Sequence, residues 1–159
     1  MKKLDSNEYA ICRKQGKLFQ ESLKKTELSS PVFIRRFMNS NIALAFDDRS
    51  ILVSAIDDNS IFESIEEEYG KSSYGKTKYS EDELYWIGYI YRVMCFYYDK
   101  SSKYIYKLFP ASEIVKYYFI GHTYDPEHAV QDFMAEKGYI EDNTLRGVEI
   151  LKRLENIKQ

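Results

Sequence analysis

The sequence is poor in the residues that cross-link or interrupt a chain, since its 159 residues include 2 cysteines, 3 prolines and 7 glycines. So few cysteines exclude a disulfide-stapled scaffold, and neither Cys12 nor Cys95 has a cysteine or histidine at metal-ligand spacing. The low proline and glycine content, together with 44% hydrophobic residues, excludes collagen-like and wholly disordered chains. We therefore predict a globular fold in which both thiols are buried in apolar stripes.

The chain also lacks an excess of either charge and a long apolar run. Its 23 Lys and Arg residues nearly balance 25 Asp and Glu residues, so a formal charge of -2 gives no overall attraction to phosphate backbones or anionic lipids. The longest apolar run, residues 84–98, contains Gly88 and Arg92 and is shorter than the roughly 20 residues of a membrane span. The first residues lack the apolar core of a secretory signal. We expect a cytoplasmic protein without membrane association, for which nucleic acid is not the expected partner.

Apolar residues recur at helical spacing in the first half of the chain. The stripe of a first helix, which ends near Thr26, consists of Tyr9, Cys12, Phe19 and Leu23. A second helix starts at Ser29 or Ser30, and its stripe consists of Ile34, Phe37, Met38, Ile42 and Ala45. Residues 51–56 favour a short helix over a lone strand. Ser60 and Glu63 have the spacing of a capping box and predict the start of the next helix.

The second half of the chain contains the most distinctive segment, residues 81–98, which follows a second capping-box pattern at Ser80. Apolar residues fall on all sides of this segment, which predicts a central helix. Further helices are predicted over residues 102–108, 112–120 and 127–137, and a last amphipathic helix carries Leu145, Val148, Leu151 and Leu154. We predict an all-α fold, a single compact bundle of about seven or eight helices around residues 81–98. Residues 1–159 form one domain, with a loop at 70–79 between the N-terminal and C-terminal helical halves.

The sharpest motif match is GKSSYGKT at residues 70–77, which fits the phosphate-loop pattern GxxxxGK[ST]. A phosphate loop follows a buried strand and runs directly into a helix. Here the preceding segment is predicted to be helical, and the next helix starts only at Ser80. We interpret the match as an ordinary connecting loop.

Both histidines lie close together in HTYDPEH, residues 122–128, beside two carboxylates. Such a cluster could hold a metal or act as a general base. Asp125 and Pro126 instead have the pattern of a helix N-terminus, which leaves His122 in the preceding loop and His128 on the helix. Neither histidine has an arginine four to six residues before it, as HEPN-type ribonucleases require. We predict no metal, no cofactor and no catalytic residue.

Aromatic residues are the abundant class, with 15 Tyr, 9 Phe and 1 Trp making up 16% of the chain. A domain of this size cannot easily bury so many tyrosines with every hydroxyl bonded, so some are expected at the surface. Tyr, Trp and Arg dominate the energetics of protein interfaces. We predict partner-binding roles for Tyr85, Trp86, Arg92 and His122. For Arg92, pairing with a carboxylate or stacking on a ring within the chain is the alternative.

Four segments resemble known proteins: FIRRFMNS at residues 33–40, YWIGYIYR at 85–92, SSKYIYKLF at 101–109 and HTYDPEHAV at 122–130. Over most of residues 5–138 the chain resembles a family of small uncharacterised helical proteins from Gram-positive gut and oral bacteria. Its second half is also similar to a shorter uncharacterised bacterial family. Genes of these kinds often lie beside toxin-like genes, including ADP-ribosyltransferase-like ones. The resemblance implies a toxin–antitoxin or defence-accessory role and assigns no catalytic residues.

We interpret the chain as a non-enzymatic protein-binding module, an antitoxin-like or regulatory partner of a co-encoded toxin or enzyme, which acts by stoichiometric occlusion. A homodimer is left open. One alternative is a DNA-binding transcriptional regulator of its own operon, because residues 101–109 follow a short turn as in a helix-turn-helix. Another is a small enzyme that uses His122 and His128.

Overall fold

The structure, a computed structural model, describes residues 3–51 and 55–139. These residues form nine α-helices and one 3-10 turn, and they contain no strand. The helices are α1 (Ser6–Lys25), α2 (Ser30–Met38), α3 (Asn41–Asp47), α4 (Asp58–Tyr69), α5 (Glu81–Tyr98), α6 (Ser102–Leu108), α7 (Ala111–Ile114), α8 (Tyr118–Gly121) and α9 (Pro126–Glu136), and the 3-10 turn (Val115–Tyr117) joins α7 to α8. The predicted all-α bundle is confirmed.

Helix α5 is the central helix, as the apolar pattern of residues 81–98 predicted. Every residue from 90 to 98 is buried, and the helix contacts α1, α6, α8 and α9. The predicted capping box is present, because the Ser80 hydroxyl accepts from the Glu83 N–H at 3.1 Å and the Glu83 carboxylate accepts from the Ser80 N–H at 2.9 Å. The capping box thus supplies acceptors for two of the four N–H groups that lack a partner within the helix at its N-terminus.

Helices α1 and α5 approach each other closely where Gly16 faces Gly88. A Cβ atom on Gly88 would lie 2.7 Å from the Gln15 carbonyl oxygen and 3.0 Å from the Gly16 Cα. The missing side chains therefore allow near-contact between the two backbones. The Gln15 side-chain amide also donates to the Gly88 carbonyl at 2.9 Å, which adds a hydrogen bond at the crossing. Two residues of the stripe predicted for α1, Cys12 and Phe19, are fully buried.

Two predicted helix boundaries are wrong. The predicted second helix is two helices, because the Ser40 hydroxyl accepts from the Ala43 N–H at 3.1 Å and caps α3 separately from α2. The predicted capping box at Ser60 is absent, since α4 begins three residues earlier, with Asp57 as its N-cap residue. Ser60 is therefore inside the helix, where its carbonyl accepts from the Ser64 hydroxyl. Ser29, Ser101 and Asp125 each cap a helix whose start the sequence predicted.

The segment predicted as one helix over 112–120 is helical but interrupted. It runs through α7, the 3-10 turn and α8, and it ends at Gly121. A 3-10 turn has three residues per turn in place of 3.6, so it rotates the faces of α8 relative to those of α7. This rotation determines which large side chains of the segment face solvent.

The loop at 70–79 is confirmed as a connection without regular structure. Its backbone is bonded to the start of α2: Ser29 N–H donates to the Tyr74 carbonyl at 3.0 Å, and Ser30 N–H donates to the Thr77 carbonyl at 2.8 Å. Helix α4 precedes the loop, so the strand that a phosphate loop requires is not there. This arrangement favours the interpretation of the motif as a connecting loop.

Of two predicted elements, one lies partly and the other wholly outside the described residues. These parts are residues 52–54 of the predicted short helix at 51–56, and the whole of the last amphipathic helix with Leu145, Val148, Leu151 and Leu154. Whether residues 1–159 form one domain therefore stays a prediction. Among the residues that are described, none belongs to a helix with the length and apolar character needed to cross a membrane.

Arg92 lies inside the core with no exposed surface, so its predicted contact with a partner is wrong. Its guanidinium donates to Gln15 Oε1 at 2.7 Å, to Asp47 Oδ1 at 2.5 Å and to the Ser102 hydroxyl at 2.7 Å. Asp47 in turn accepts from the Ser102 hydroxyl and backbone N–H. The alternative considered for Arg92, pairing with a carboxylate of the same chain, is confirmed. This network joins α1, α3, α5 and α6.

Replacing Gly88 by alanine is expected to destabilise the fold by up to about 2 kcal/mol. Alanine gains about 1 kcal/mol of helix propensity, but overpacking a tight core costs about 1–3 kcal/mol, and here the obstructing atoms include backbone. Urea denaturation followed by circular dichroism measures the difference. Asn59→Ala, at an exposed position of α4, serves as the control and should change stability by less than about 0.5 kcal/mol. A Gly88→Ala protein as stable as wild type would contradict the close crossing.

Replacing Arg92 by methionine should cost about 3–5 kcal/mol, because it leaves the largely buried Asp47 carboxylate without its cation. Adding Asp47→Asn should then cost less than it does in the wild-type background, since the two side chains interact directly. Urea denaturation of the four proteins in this double-mutant cycle gives the coupling. If the two substitutions lowered the free energy of unfolding additively, the ion pair with Asp47 would not be the main interaction of Arg92.

Candidate functional site

Two of the predicted partner-binding residues, Trp86 and His122, meet on one side of the bundle through Tyr118. The Trp86 ring packs edge-on against Tyr118 at a centroid distance of 5.8 Å. Tyr118 stacks on His122 at 4.4 Å with an interplanar angle of 3°. The His122 Nδ1–H donates to the Tyr118 carbonyl at 2.6 Å, which holds the imidazole in this stack. The three rings form one continuous aromatic row from α5 to the end of α8.

Gly121 fixes α8 against this side of α5. A Cβ atom at this position would lie 2.8 Å from both Trp86 Cζ2 and Phe133 Cζ, so only glycine allows the observed approach. Because Tyr118 and Gly121 face inward on this single helical turn, the two residues between them face solvent. Phe119 is 83% exposed and Ile120 is 62% exposed. The packing of α8 therefore places two large apolar side chains on the surface.

We call the surface formed by Tyr118, Phe119, Ile120, His122 and Tyr124 the α8 patch. Tyr124 is 48% exposed, and its ring packs edge-on against His128 at 5.9 Å. The patch combines exposed apolar area with a histidine and a tyrosine hydroxyl at its edge. Large apolar groups surrounded by polar ones are typical of protein-binding surfaces. The arrangement suits contact with another protein.

The other two predicted residues lie elsewhere. Tyr85 is half-buried on the α1 side of α5, where it stacks on Tyr89 at 6.2 Å and packs against Gly16. Arg92 is inside the core, as described above. The predicted set therefore does not form a single surface, and the structure joins Trp86 and His122 alone.

The side chains of the predicted histidine and carboxylate cluster do not converge on one point in the structure. His122 stacks on Tyr118, while the exposed His128 pairs with Asp132 at 3.5 Å. Asp125 caps α9 by accepting from the His128 N–H. Glu127 is buried and accepts from the Leu4 N–H at 3.4 Å and from the Tyr9 hydroxyl. The described part of the chain contains no group of three or more His, Cys, Asp or Glu residues arranged to hold a metal ion.

Both cysteines are buried and unpaired, as predicted. Burial raises the pKa of the Cys12 thiol to about 12 and the pKa of the Cys95 thiol to about 11. Arg92 lowers both values by its charge but does not outweigh the loss of hydration. Both thiols are therefore protonated at neutral pH, whereas a nucleophilic cysteine needs its thiolate.

The sequence analysis missed Phe119, Ile120 and Tyr124 as surface residues. A signal for the first two was present, because residues 117–120 are Tyr-Tyr-Phe-Ile and a single helical turn cannot direct four consecutive large side chains inward. No comparable signal marks Tyr124. Its exposure depends on the turn that separates α8 from α9, where the Tyr124 N–H donates to the Gly121 carbonyl at 3.1 Å.

Comparison of the chain with models of protein families, with curated proteins and with solved structures found no match. The resemblance of the four sequence segments to small helical proteins of Gram-positive bacteria therefore stays a prediction. The same holds for the DNA-binding and enzymatic alternatives.

Proposed function

We propose that this chain is a non-enzymatic protein-binding module whose contact surface is the α8 patch. Its partner is the toxin or enzyme encoded by a neighbouring gene, and binding blocks that protein's active cleft by occupying it in a one-to-one complex. The role is that of an antitoxin or a stoichiometric regulator.

The observation that carries the proposal is the exposure of Phe119 and Ile120, at 83% and 62%. Fully burying an apolar side chain of this size contributes about 1.5–3 kcal/mol, so the two residues can anchor an interface. They lie on a turn that packs against Trp86 at Gly121, and a pre-organised contact loses less conformational entropy on binding. The tyrosine and histidine side chains of the patch add polar contacts around this anchor.

The proposal is tested by replacing both anchors, Phe119→Ser and Ile120→Ser, in the full chain. A matched control changes two other exposed apolar residues, Leu44→Ser (55% exposed) and Tyr74→Ser (71% exposed). Each protein is co-expressed and titrated with the product of the adjacent gene in the native operon. The anchor variant should bind at least about tenfold more weakly, since hot-spot residues each contribute about 2 kcal/mol or more. The control variant should bind like wild type.

Thermal unfolding of the same proteins separates loss of contact from loss of fold. Exposed side chains contribute little to stability, so both double variants should be within about 1 kcal/mol of wild type. A large destabilisation of the anchor variant would show that Phe119 and Ile120 pack within their own chain, which would overturn the proposal. Unchanged affinity for the neighbouring gene's product would overturn it as well.

A further inference from the structure

A second feature of the surface is a cleft between the end of α1, α2, α4 and the loop that follows α4. Its volume is about 680 Å³, within the range of about 300–1,000 Å³ that small-molecule sites occupy. None of the residues of the α8 patch lines it. The cleft is therefore a candidate binding site that is separate from the α8 patch.

The floor of the cleft is apolar. Phe33 and Ile65 are buried beneath it, and the half-buried side chains of Leu23 and Phe62 reach its surface. Phe62 packs against Phe33 at a centroid distance of 5.6 Å, which holds the ring in place. An apolar chain or ring entering the cleft would contact aromatic and aliphatic carbon on this floor and leave water.

The rim of the cleft is basic, although the whole chain has a formal charge of -2. Its charged residues are the cations Lys24, Lys25, Arg36, Lys71 and Lys78 and the carboxylates Glu27 and Glu66. The excess of cations at one place in an acidic chain favours an anionic ligand.

Two of these cations form hydrogen bonds within the described part of the chain, and the side chains of the other three do not. Arg36 donates to the Gly70 carbonyl at 2.7 Å, and Lys78 donates to the Leu28 carbonyl at 2.6 Å. The side chains of Lys24, Lys25 and Lys71 form no ion pair or hydrogen bond with any other residue that the structure describes. Three lysines at the rim are thus available to an anion.

From this placement we propose that the cleft binds a monomeric amphiphilic anion. Its apolar chain or ring lies on Leu23 and Phe62, and its phosphate, sulfonate or carboxylate head pairs with Lys24, Lys25 and Lys71. The same chemistry occurs in free alkyl phosphates and in the headgroups of anionic lipids. The size of the cleft and its apolar floor favour a single molecule over an extended bilayer surface, and the proposal commits to the free ligand.

The test uses the full chain and two probes, anilinonaphthalene sulfonate fluorescence and its displacement by dodecyl phosphate. The cleft variant carries Lys24→Glu, Lys25→Glu and Lys71→Glu. The control carries the same charge change at three exposed lysines outside the cleft, Lys103→Glu, Lys107→Glu and Lys116→Glu. The cleft variant should bind both probes at least about tenfold more weakly, and the control should stay within about twofold of wild type.

A second set, Lys24→Gln, Lys25→Gln and Lys71→Gln, removes the charges without placing carboxylates at the C-terminal end of α1, where the helix dipole disfavours them. Near-ultraviolet circular dichroism checks that each variant retains native packing. The glutamine set should also lose affinity. In wild type, affinity should rise from octyl to dodecyl phosphate, because the longer chain covers more of the floor.

Four outcomes would overturn the proposal. One is equal loss of binding in the cleft and control variants, and another is equal binding of the neutral amphiphile octyl glucoside. A third is displacement of the fluorescent probe by inorganic phosphate as effectively as by dodecyl phosphate, which would indicate an anion site without an apolar part. The fourth is binding to phosphatidylglycerol vesicles without binding to monomeric dodecyl phosphate, which would indicate a membrane-contacting surface.

Discussion

The close crossing of α1 and α5 is the constraint on which the other contacts depend. Glycines at positions 16 and 88 bring the two backbones together, and this proximity places Gln15 within reach of both the Gly88 carbonyl and the Arg92 guanidinium. Arg92 can be buried only because Gln15, Asp47 and Ser102 all meet it there, since an unpaired buried charge would cost several kcal/mol. One backbone contact and one polar network thus orient three helices, α1, α3 and α6, around α5.

The same central helix positions the α8 patch on another of its faces. Trp86 stands on the side of α5 opposite to the polar network, and the absence of a side chain at Gly121 lets α8 pack directly on its indole. Exposure of Phe119 and Ile120 follows from that packing, because their neighbours occupy the inward positions. The proposed contact surface is thereby packed directly on the central helix of the bundle.

Features that depend on residues close together in the sequence could be predicted, whereas contacts between residues far apart in the sequence could not. Caps such as Ser80 and Asp125 depend on residues three positions apart, so the sequence was sufficient for them. The cap at Ser60 was wrong because Asp57, upstream of it, begins the helix earlier. Two of the three partners of Arg92, Gln15 and Asp47, are 77 and 45 residues away in the chain, and no sequence pattern links them to it. The cleft is likewise assembled from four separate segments, so it could be found only in the structure.

The abundance of tyrosine follows from its use in three different environments. Tyr91 is fully buried and satisfies its hydroxyl by donating to the Phe109 carbonyl at 2.5 Å. Tyr117 bridges two elements near the surface by donating to Glu136 at 2.7 Å, a bond to a carboxylate that raises the pKa of its hydroxyl to about 12. Tyr124 places half of its surface in solvent. Phenylalanine could fill the first position only by leaving a buried carbonyl without a donor, and it would lose the bridge at the second. Tyrosine therefore occupies the core, a bridging position and the exposed surface of the same small bundle.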